Sequence, residues 1–355
     1  MRRKKLLLLS LLLVLILSAC QSSGEEASSS NSAGEMDLLF GTLHPTTHHA
    51  HENVYQPWVD LLSEKTDGKI EASLHPNSTL GSQSSTLEDI GSGAYDVGMV
   101  VVPEYVDSPW FPYNIASLPF AFNNVDAAHN VTREFAEKYH QEDAFKDVVL
   151  MGFSNTDPYV ITSKVPIETV EDTKGLQIHV PSKLVADVVE GWGATPVTME
   201  VAEVYQALDR GVLDATIYTP VGAAGWKWYE IAPYVTNIGI SSSPIAMVMN
   251  RNVYESIPND LKEVFDNELM DFMPQALRDS YVNEVDNAFG NISEGIEGKG
   301  RIIEVDPEEQ KKFIAPAESV WKDWENEANE KGYDGTKMVE DFKSMINEEG
   351  IEIPF

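Results

Sequence analysis

Apolar residues from position 36 onward follow the spacings of strands and helices in turn. Residues 36–41 (MDLLFG) form a short apolar segment typical of a buried strand. Val54, Trp58, Leu61 and Leu62 then recur at i, i+4, i+7 and i+8, which places them on one face of a helix. Further strands are predicted at residues 70–74, 97–102, 159–163, 176–180 and 245–249.

Helices separate these strands, and this alternation predicts an α/β protein with parallel sheets. One helix is predicted around residues 184–192 and another around 201–208. A long helical region is predicted from Asn259 to about Phe289, with a kink at Pro274. Its length would let it run across two lobes of the protein.

Two helix starts are marked by their capping residues. Ser182 follows a strand that ends at Pro181, and its hydroxyl group is placed to cap the next helix. Asp306 precedes Pro307, an order that favours an N-cap followed by the first helical position.

The first 35 residues differ from the rest in composition. The start MRRKKLLLLSLLLVLILSAC predicts a secretory signal peptide over residues 1–19. Cys20, the single cysteine, stands where bacterial lipoproteins carry their lipid, and residues 20–35 read as a flexible linker. The protein is therefore expected outside the cytoplasm, attached to the cell membrane through a lipid on Cys20.

The charge and the missing motifs exclude several classes of function. The formal net charge is -32, and so acidic a surface repels nucleic acid. The sequence has no G-x-S-x-G, P-loop, G-x-G-x-x-G after a strand, or H-E-x-x-H motif. No enzyme activity, catalytic residue or cofactor is predicted. The roughly 320 residues after the linker exceed one typical core and favour two lobes.

Five stretches in register resemble one protein family over nearly all of the chain after the linker. They are LLSEKTDGKIEASLHPNSTLGSQSSTLEDIGSGAYDVGMV, SLPFAF, PIETVEDTKGLQIHVPS, GATPVTMEVAEVYQALDRGVLDA and NRNVYESIPNDLKEVF. The chain resembles the DctP-type extracytoplasmic solute-binding subunits of tripartite ATP-independent periplasmic (TRAP) transporters, in a lipoprotein form.

The resemblance implies a two-lobe, periplasmic-binding-protein-like (type II) α/β fold with a hinge and a long helix crossing both lobes. Lobe I would comprise residues 36–157 and about 246–288, and lobe II residues 158–245 and about 289–355. A receptor of this family closes on a small organic solute between its lobes. It then delivers the solute to a small and a large membrane subunit that use an ion gradient.

The resemblance also directs attention to His179, at the end of the strand in TKGLQIHVPSK. Most family members have an arginine here, which forms a bidentate pair with a ligand carboxylate. Histidine has neither a permanent charge nor a fork of donors. Tyr159 and Tyr218 also depart from the family pattern, so these three residues are predicted to bind the ligand.

Five further ligand-binding candidates come from loops and from one aromatic pair. Tyr105 and Trp110 follow the buried strand 97–102, at the carboxyl end where ligands bind in open α/β sheets. Within GAAGWKWYE one of the two tryptophans is predicted to contribute to the cleft or closing surface, and Trp226 is the candidate. His48 and His49 follow the first strand and could hydrogen-bond a ligand. His51 lies three residues after His48, but no cysteine is near, so no metal site is predicted.

Three classes of solute remain open at this point. A carboxylate would pair with protonated His179, a neutral polar or aromatic molecule would use the tyrosines, and an amine would lie over their rings. The alternative functions are a metal-binding lipoprotein and the receptor of an ATP-driven importer.

Overall fold

The computed structural model describes residues 36–355, and within this range the strands form two sheets. The predicted signal peptide, Cys20 and the linker lie outside the described residues. The strands are β1 (Met36–Gly41), β2 (Ile70–His75), β3 (Val97–Val101), β4 (Val148–Asn155), β5 (Val160–Ser163), β6 (Gln177–His179), β7 (Thr195–Val197), β8 (Ala215–Tyr218), β9 (Tyr234–Asn237), β10 (Pro244–Asn250) and β11 (Arg301–Glu304).

Helices connect most of these strands. They are α1 (Gln56–Lys65), α2 (Thr86–Ser92), α3 (Val125–Lys138), α4 (Lys183–Gly191), α5 (Val201–Arg210), α6 (Pro220–Gly225), α7 (Arg251–Ser256), α8 (Asn259–Val264), α9 (Phe272–Gly295), α10 (Pro307–Ile314), α11 (Ala317–Glu330) and α12 (Gly335–Glu348). Both predicted caps are confirmed: the Ser182 side chain accepts from Val185 N, and the Asp306 side chain accepts from Glu308 N. None of the helices described is both long and apolar enough to span a bilayer.

Both sheets are mixed, so the prediction of parallel sheets is wrong in part. The first sheet has the order β2-β1-β3-β10-β4 and the second β11-β9-β5-β8-β6-β7. Within them β10 is antiparallel to β3 and β4, and β5 is antiparallel to β8 and β9. Each of these two strands enters directly from the other sheet. No βα crossover precedes it, so nothing forces it to run parallel to its neighbours.

Two extended segments cross between the sheets side by side. One joins β4 to β5 and the other joins β9 to β10. Backbone hydrogen bonds connect them: Thr156 N donates to Ser243 O at 3.0 Å, and Tyr159 N donates to Ser241 O at 2.7 Å. The two crossings are therefore coupled and follow the same backbone path.

The long helix α9 passes from one sheet to the other, as predicted. Met273 and Leu277 pack in the apolar cluster of the first sheet, and Ile292 packs in that of the second. The predicted kink at Pro274 is absent. Instead the helical region breaks at residues 270–271, and Pro274 lies in the first turn of α9, where its missing N–H has no helical partner to lose.

The C-terminal helices pack against helices beside both sheets. The ring of Phe111, from the segment before α3, stacks on that of Trp324 in α11 at 5.2 Å. Trp192, which follows α4, packs edge-on against Phe313 in α10 at 5.2 Å. One buried apolar cluster therefore includes residues from α3, α4 and the C-terminal helices α10, α11 and α12.

Candidate functional site

A narrow cavity lies between the two sheets, at the carboxyl ends of β3, β6, β7 and β8. The first-sheet side supplies His44, Gln83, Met99 and Glu104, with Tyr281 from α9. The second-sheet side supplies Tyr159, His179, Met199, Tyr218 and Thr219. The cavity volume is about 30 Å³, whereas pockets for small organic ligands measure roughly 300–1,000 Å³. The two sides must therefore move apart before a solute can enter.

His179 lies in this cavity, at the end of β6. The pairing of β6 with β8 sets His179 opposite Thr216, and its Nδ1 lies 2.8 Å from Thr216 Oγ1. Burial lowers the pKa of His179 to about 4, an effect that the Met199 backbone partly offsets. Its Nε2 is buried and has no hydrogen-bond partner in the part of the chain that the structure describes. A neutral imidazole nitrogen is thus left for a solute.

Tyr159 and Tyr218 form an aromatic wall beside His179. The antiparallel pairing of β5 with β8 brings the two rings together, with centroids 6.0 Å apart and planes within 3°. Trp228 packs edge-on against Tyr218 at 5.3 Å and supports it from behind. Burial raises the pKa of both tyrosines, so their hydroxyl groups stay neutral hydrogen-bonding groups.

Several histidines follow β1, and the rings of His44 and His48 are stacked. The histidine that lines the cavity is His44, whereas His48 and His49 were predicted. His44 lines the cavity, with Nδ1 2.8 Å from Tyr55 Oη. His48 is stacked on His44 at 3.7 Å, with ring planes 3° apart. The Nδ1 atom of His49 lies 2.6 Å from Ser280 Oγ in α9. The structure therefore does not bring His48 or His49 to the cavity wall.

Three other candidates also lie outside the cavity lining. The Trp110 indole N–H donates to Ala144 O at 2.7 Å, and its ring packs on Phe145 at 5.0 Å beneath the loop. The Tyr105 hydroxyl accepts from Leu87 N at 2.9 Å, so it holds the start of α2. Trp226 stacks on Trp228, behind Tyr218. These side chains support the walls and do not contact the cavity.

Sequence reasoning missed several lining residues. Tyr281 comes from the long helix α9, far along the chain from the strands whose ends it covers. Glu104 lies beside Tyr105 in the loop after β3, where the prediction names only the aromatic residues. Gln83 lies in a short turn before α2, a polar segment with no motif of its own. The one available signal was the position of Glu104 just after the buried strand β3.

Asp157 is a buried carboxyl group in the crossing segment beside the cavity. Its Oδ2 accepts from Val221 N at 3.2 Å, whereas its Oδ1 has no partner among the described residues. Burial raises the pKa of Asp157 to about 7. The neutral acid is therefore the form that this site favours.

Asp157→Asn is expected to stabilise the protein by about 2–4 kcal/mol at neutral and higher pH. The folded state holds its proton up to about pH 7, so stability is lost as pH rises from the unfolded value near 3.8 towards 7. Asparagine keeps the shape and removes the charge. Urea unfolding of both proteins across this range is the measurement, and the difference should shrink towards zero near pH 4. A difference in unfolding free energy that is the same at all pH values would contradict the raised pKa of Asp157.

The chemistry of the site suits binding. The cavity offers aromatic faces, hydroxyl groups and neutral imidazoles from both sheets. Among residues 36–355 no group of three or more His, Cys, Asp or Glu side chains is placed to hold a metal ion. The arrangement can enclose a small molecule and hydrogen-bond it from two sides.

The sequence model of the DctP family, described as "Bacterial extracellular solute-binding protein, family 7", matches residues 40–328. The chain belongs to this family. The match covers most of both sheets and all the cavity residues named above. Membership in the DctP family makes the chain a solute-binding protein and disfavours the metal-binding lipoprotein and the receptor of an ATP-driven importer.

Individual DctP-family proteins show the same relationship at low identity. The C4-dicarboxylate-binding periplasmic protein DctP of Rhodobacter capsulatus is 24% identical over 205 residues, which is 57% of this chain and 62% of the relative. The chain thus aligns with less than two thirds of that relative's length.

Solved structures show the fold. A TRAP solute-binding protein from Rhodoferax ferrireducens, in complex with copurified benzoate, has a TM-score of 0.79 at 21% identity, over 89% of this chain and 98% of that one. A marine metagenome TRAP solute-binding protein specific for aromatic acid ligands, in complex with 3-hydroxybenzoate, has a TM-score of 0.78 at 24% identity, over 88% and 98%. These likenesses confirm the predicted two-lobe, periplasmic-binding-protein-like fold.

Proposed function

We propose that this protein is the extracytoplasmic receptor of a TRAP transporter. It binds a small organic solute in the cavity between the sheets and delivers it to the small and large membrane subunits. The observation that carries the proposal is that Tyr159, His179 and Tyr218 from one sheet face His44 and Glu104 from the other across a single cavity. A solute held by both sides stabilises the closed form, which is the state that membrane subunits can recognise.

Related proteins support a small organic solute, and the ligands named for them are carboxylates. The Rhodobacter capsulatus relative is named for C4-dicarboxylates, and the two structural neighbours were solved with benzoate and 3-hydroxybenzoate. All are small organic molecules, and two of them are aromatic. The aromatic wall formed by Tyr159 and Tyr218 suits a solute with a flat or apolar part.

The lobes and their hinge are part of the same proposal. Lobe I comprises residues 36–157 and about 246–288, and lobe II residues 158–245 and about 289–355. Within residues 36–355 this division cuts the chain in the first crossing segment, within β10 just after the second crossing segment, and within α9. Because a cavity of about 30 Å³ admits no organic solute, binding begins with rotation about these crossings.

We also propose where the receptor works. A signal peptide over residues 1–19 directs export, and a lipid on Cys20 anchors the protein to the cell membrane. Residues 20–35 form the linker between the lipid anchor and the folded unit. The composition of this segment supports the proposal. The receptor performs no catalysis, consistent with its family of binding proteins.

Tyr218→Ala is expected to reduce solute-dependent stabilisation to about half or less. A bound solute at about 100 times its Kd raises Tm by about 4 °C in a protein of this size. Losing the ring of Tyr218 removes an aromatic contact and should weaken affinity by roughly 10- to 100-fold. Thermal-shift titration with small amines, alcohols and carboxylates is the measurement.

Tyr254→Ala is the matched control for this experiment. Tyr254 lies in α7, outside the cavity, where its hydroxyl donates to Asp266 Oδ1 at 2.7 Å. The control should keep the full solute response. If both variants respond like the wild type, the solute does not bind between the sheets.

A further inference from the structure

We propose that the solute carries a protonated amine, which Glu104 and Gln83 bind at the cavity rim while the tyrosine rings cover its carbon atoms. This inference rests on the proposed function and names the class of solute. Three observations carry it: a fixed amide, two carboxylates on opposite sides, and the composition of the lining.

The first observation is the orientation of Gln83. Its Nε2 donates to Glu104 Oε1 at 2.8 Å. An ionised carboxylate only accepts hydrogen bonds, so the amide cannot be reversed without losing this contact. Its Oε1 is consequently left buried, and it has no partner among the described residues, on a side chain that is 9% exposed. A buried acceptor of this kind calls for an N–H or O–H donor from a solute.

The second observation is a pair of carboxylates on opposite sides of the cleft. Glu104 follows β3, whereas Glu200 precedes α5 in the second sheet's half of the chain. Ser84 Oγ donates to Glu200 Oε1 at 3.1 Å, which brings this acid to the segment of Gln83. Burial is the largest effect on the pKa of Glu104 and raises it, the hydrogen bond from Gln83 partly offsets this rise, and the charge of Glu200 adds to it. A cation between Glu104 and Glu200 would offset both the burial of the Glu104 carboxylate and the repulsion between the two charges.

The third observation is the composition of the lining. Of the described residues that line the cavity, none is lysine or arginine, and Glu104 is the one carboxylate. Burial keeps His44 and His179 neutral near pH 7. Tyr159, Tyr218 and Tyr281 add ring faces, whose quadrupoles attract cations. An anion placed here would meet Glu104 without any opposing charge, which is costly in a site shielded from water.

The test uses matched sets of compounds that differ in one group, such as benzylamine, benzyl alcohol and benzoate. Binding to the whole protein is measured by thermal shift and calorimetry, and any copurified solute is identified by mass spectrometry. Glu104→Gln should weaken amine binding by about 10- to 100-fold, because a hydrogen bond to a charged group is lost. Glu137→Gln, on the exposed face of α3, is the control and should leave the affinity unchanged.

The outcomes separate the inference from the proposed function. Binding of amines alone, with the loss in Glu104→Gln, supports the inference, as does a copurified solute with a basic nitrogen. Binding of carboxylates or alcohols alone, with no effect of Glu104→Gln, overturns it and leaves the receptor function intact. A protein that copurifies with no solute and responds to no compound counts against both.

Discussion

Lowering the pH from about 7.5 to about 5.5 is expected to cost the protein about 5 kcal/mol of unfolding free energy. Histidines held neutral by burial are the cause. The pKa of His44 and of His49 is lowered to about 3, and that of His48 falls well below its usual value. Burial is the largest cause for all three, and their mutual proximity adds to it for His44 and His48. His129 and His179 follow the same rule, each with a pKa lowered to about 4.

The sign follows from proton binding. Between about pH 6.5 and 4 the unfolded chain binds a proton at each of these histidines and the folded protein does not, so stability falls as pH falls. Each group contributes up to about 1.4 kcal/mol per pH unit. Asp157 acts in the opposite direction over the same range, because the folded state holds its proton. After this offset the net loss of unfolding free energy equals that of about four histidines, which is about 5 kcal/mol between pH 7.5 and 5.5.

Urea unfolding at several pH values measures this slope, and one pair of variants assigns it. His129→Asn removes a buried histidine outside the cavity, whose Nδ1 lies 3.2 Å from Ser154 Oγ. It should reduce the slope by about 1.4 kcal/mol per pH unit. Asn130→Gln, at an exposed position on the same helix, changes no titratable group and should leave the slope unchanged. A free energy that stays level down to about pH 5.5 would contradict the account.

Gly300→Ala is expected to destabilise the protein by more than about 4 kcal/mol. Gly300 precedes β11, at the point where this strand begins to pair with β9. A Cβ atom here would lie 1.9 Å from Pro233 O and 2.5 Å from Pro233 C. These are backbone atoms, so no side-chain rotation relieves the overlap, and β11 must separate from the sheet edge. Denaturant unfolding measures the loss.

Gly290→Ala makes the same chemical change with the opposite expected sign. Gly290 lies at an exposed position within α9, and a Cβ atom there meets nothing within 4 Å. Alanine should stabilise the helix by roughly 0.5–1 kcal/mol. Equal effects of the two substitutions would show that the approach of Gly300 to Pro233 does not hold the sheet edge.

Local signals in the sequence predicted the elements well, because each depends on neighbouring residues. The caps at Ser182 and Asp306 lie where predicted, since a side-chain oxygen three or fewer residues from an N–H needs no distant partner. Pro274 was misplaced within its helix because the sequence does not show where a helix restarts. The predicted direction of β5 and β10 was wrong for a related reason. The direction of a strand depends on which sheet the preceding strand belongs to, and the sequence does not show this.

The candidate site was predicted in part. The element on which each residue lies explains which positions could be predicted and which could not. His179 and Tyr218 belong to the paired strands β6 and β8, and Tyr159 directly precedes β5, so their proximity follows from the order of the strands. Tyr281 reaches the cavity only through the path of α9, which no local pattern encodes. Trp110 and Tyr105 lie in a loop of the right place, yet their N–H and O–H groups find backbone partners there. Buried tyrosine and tryptophan side chains usually find such hydrogen-bond partners.

Native mass spectrometry of the gently purified protein, beside Tyr218→Ala, tests the central claim most directly. The account predicts a small molecule bound to the wild-type protein and lost from the variant, because both sheets close on it at the tyrosine wall. Retention of the same molecule in both proteins would contradict the account, since the solute would then lie somewhere other than the cavity between the sheets.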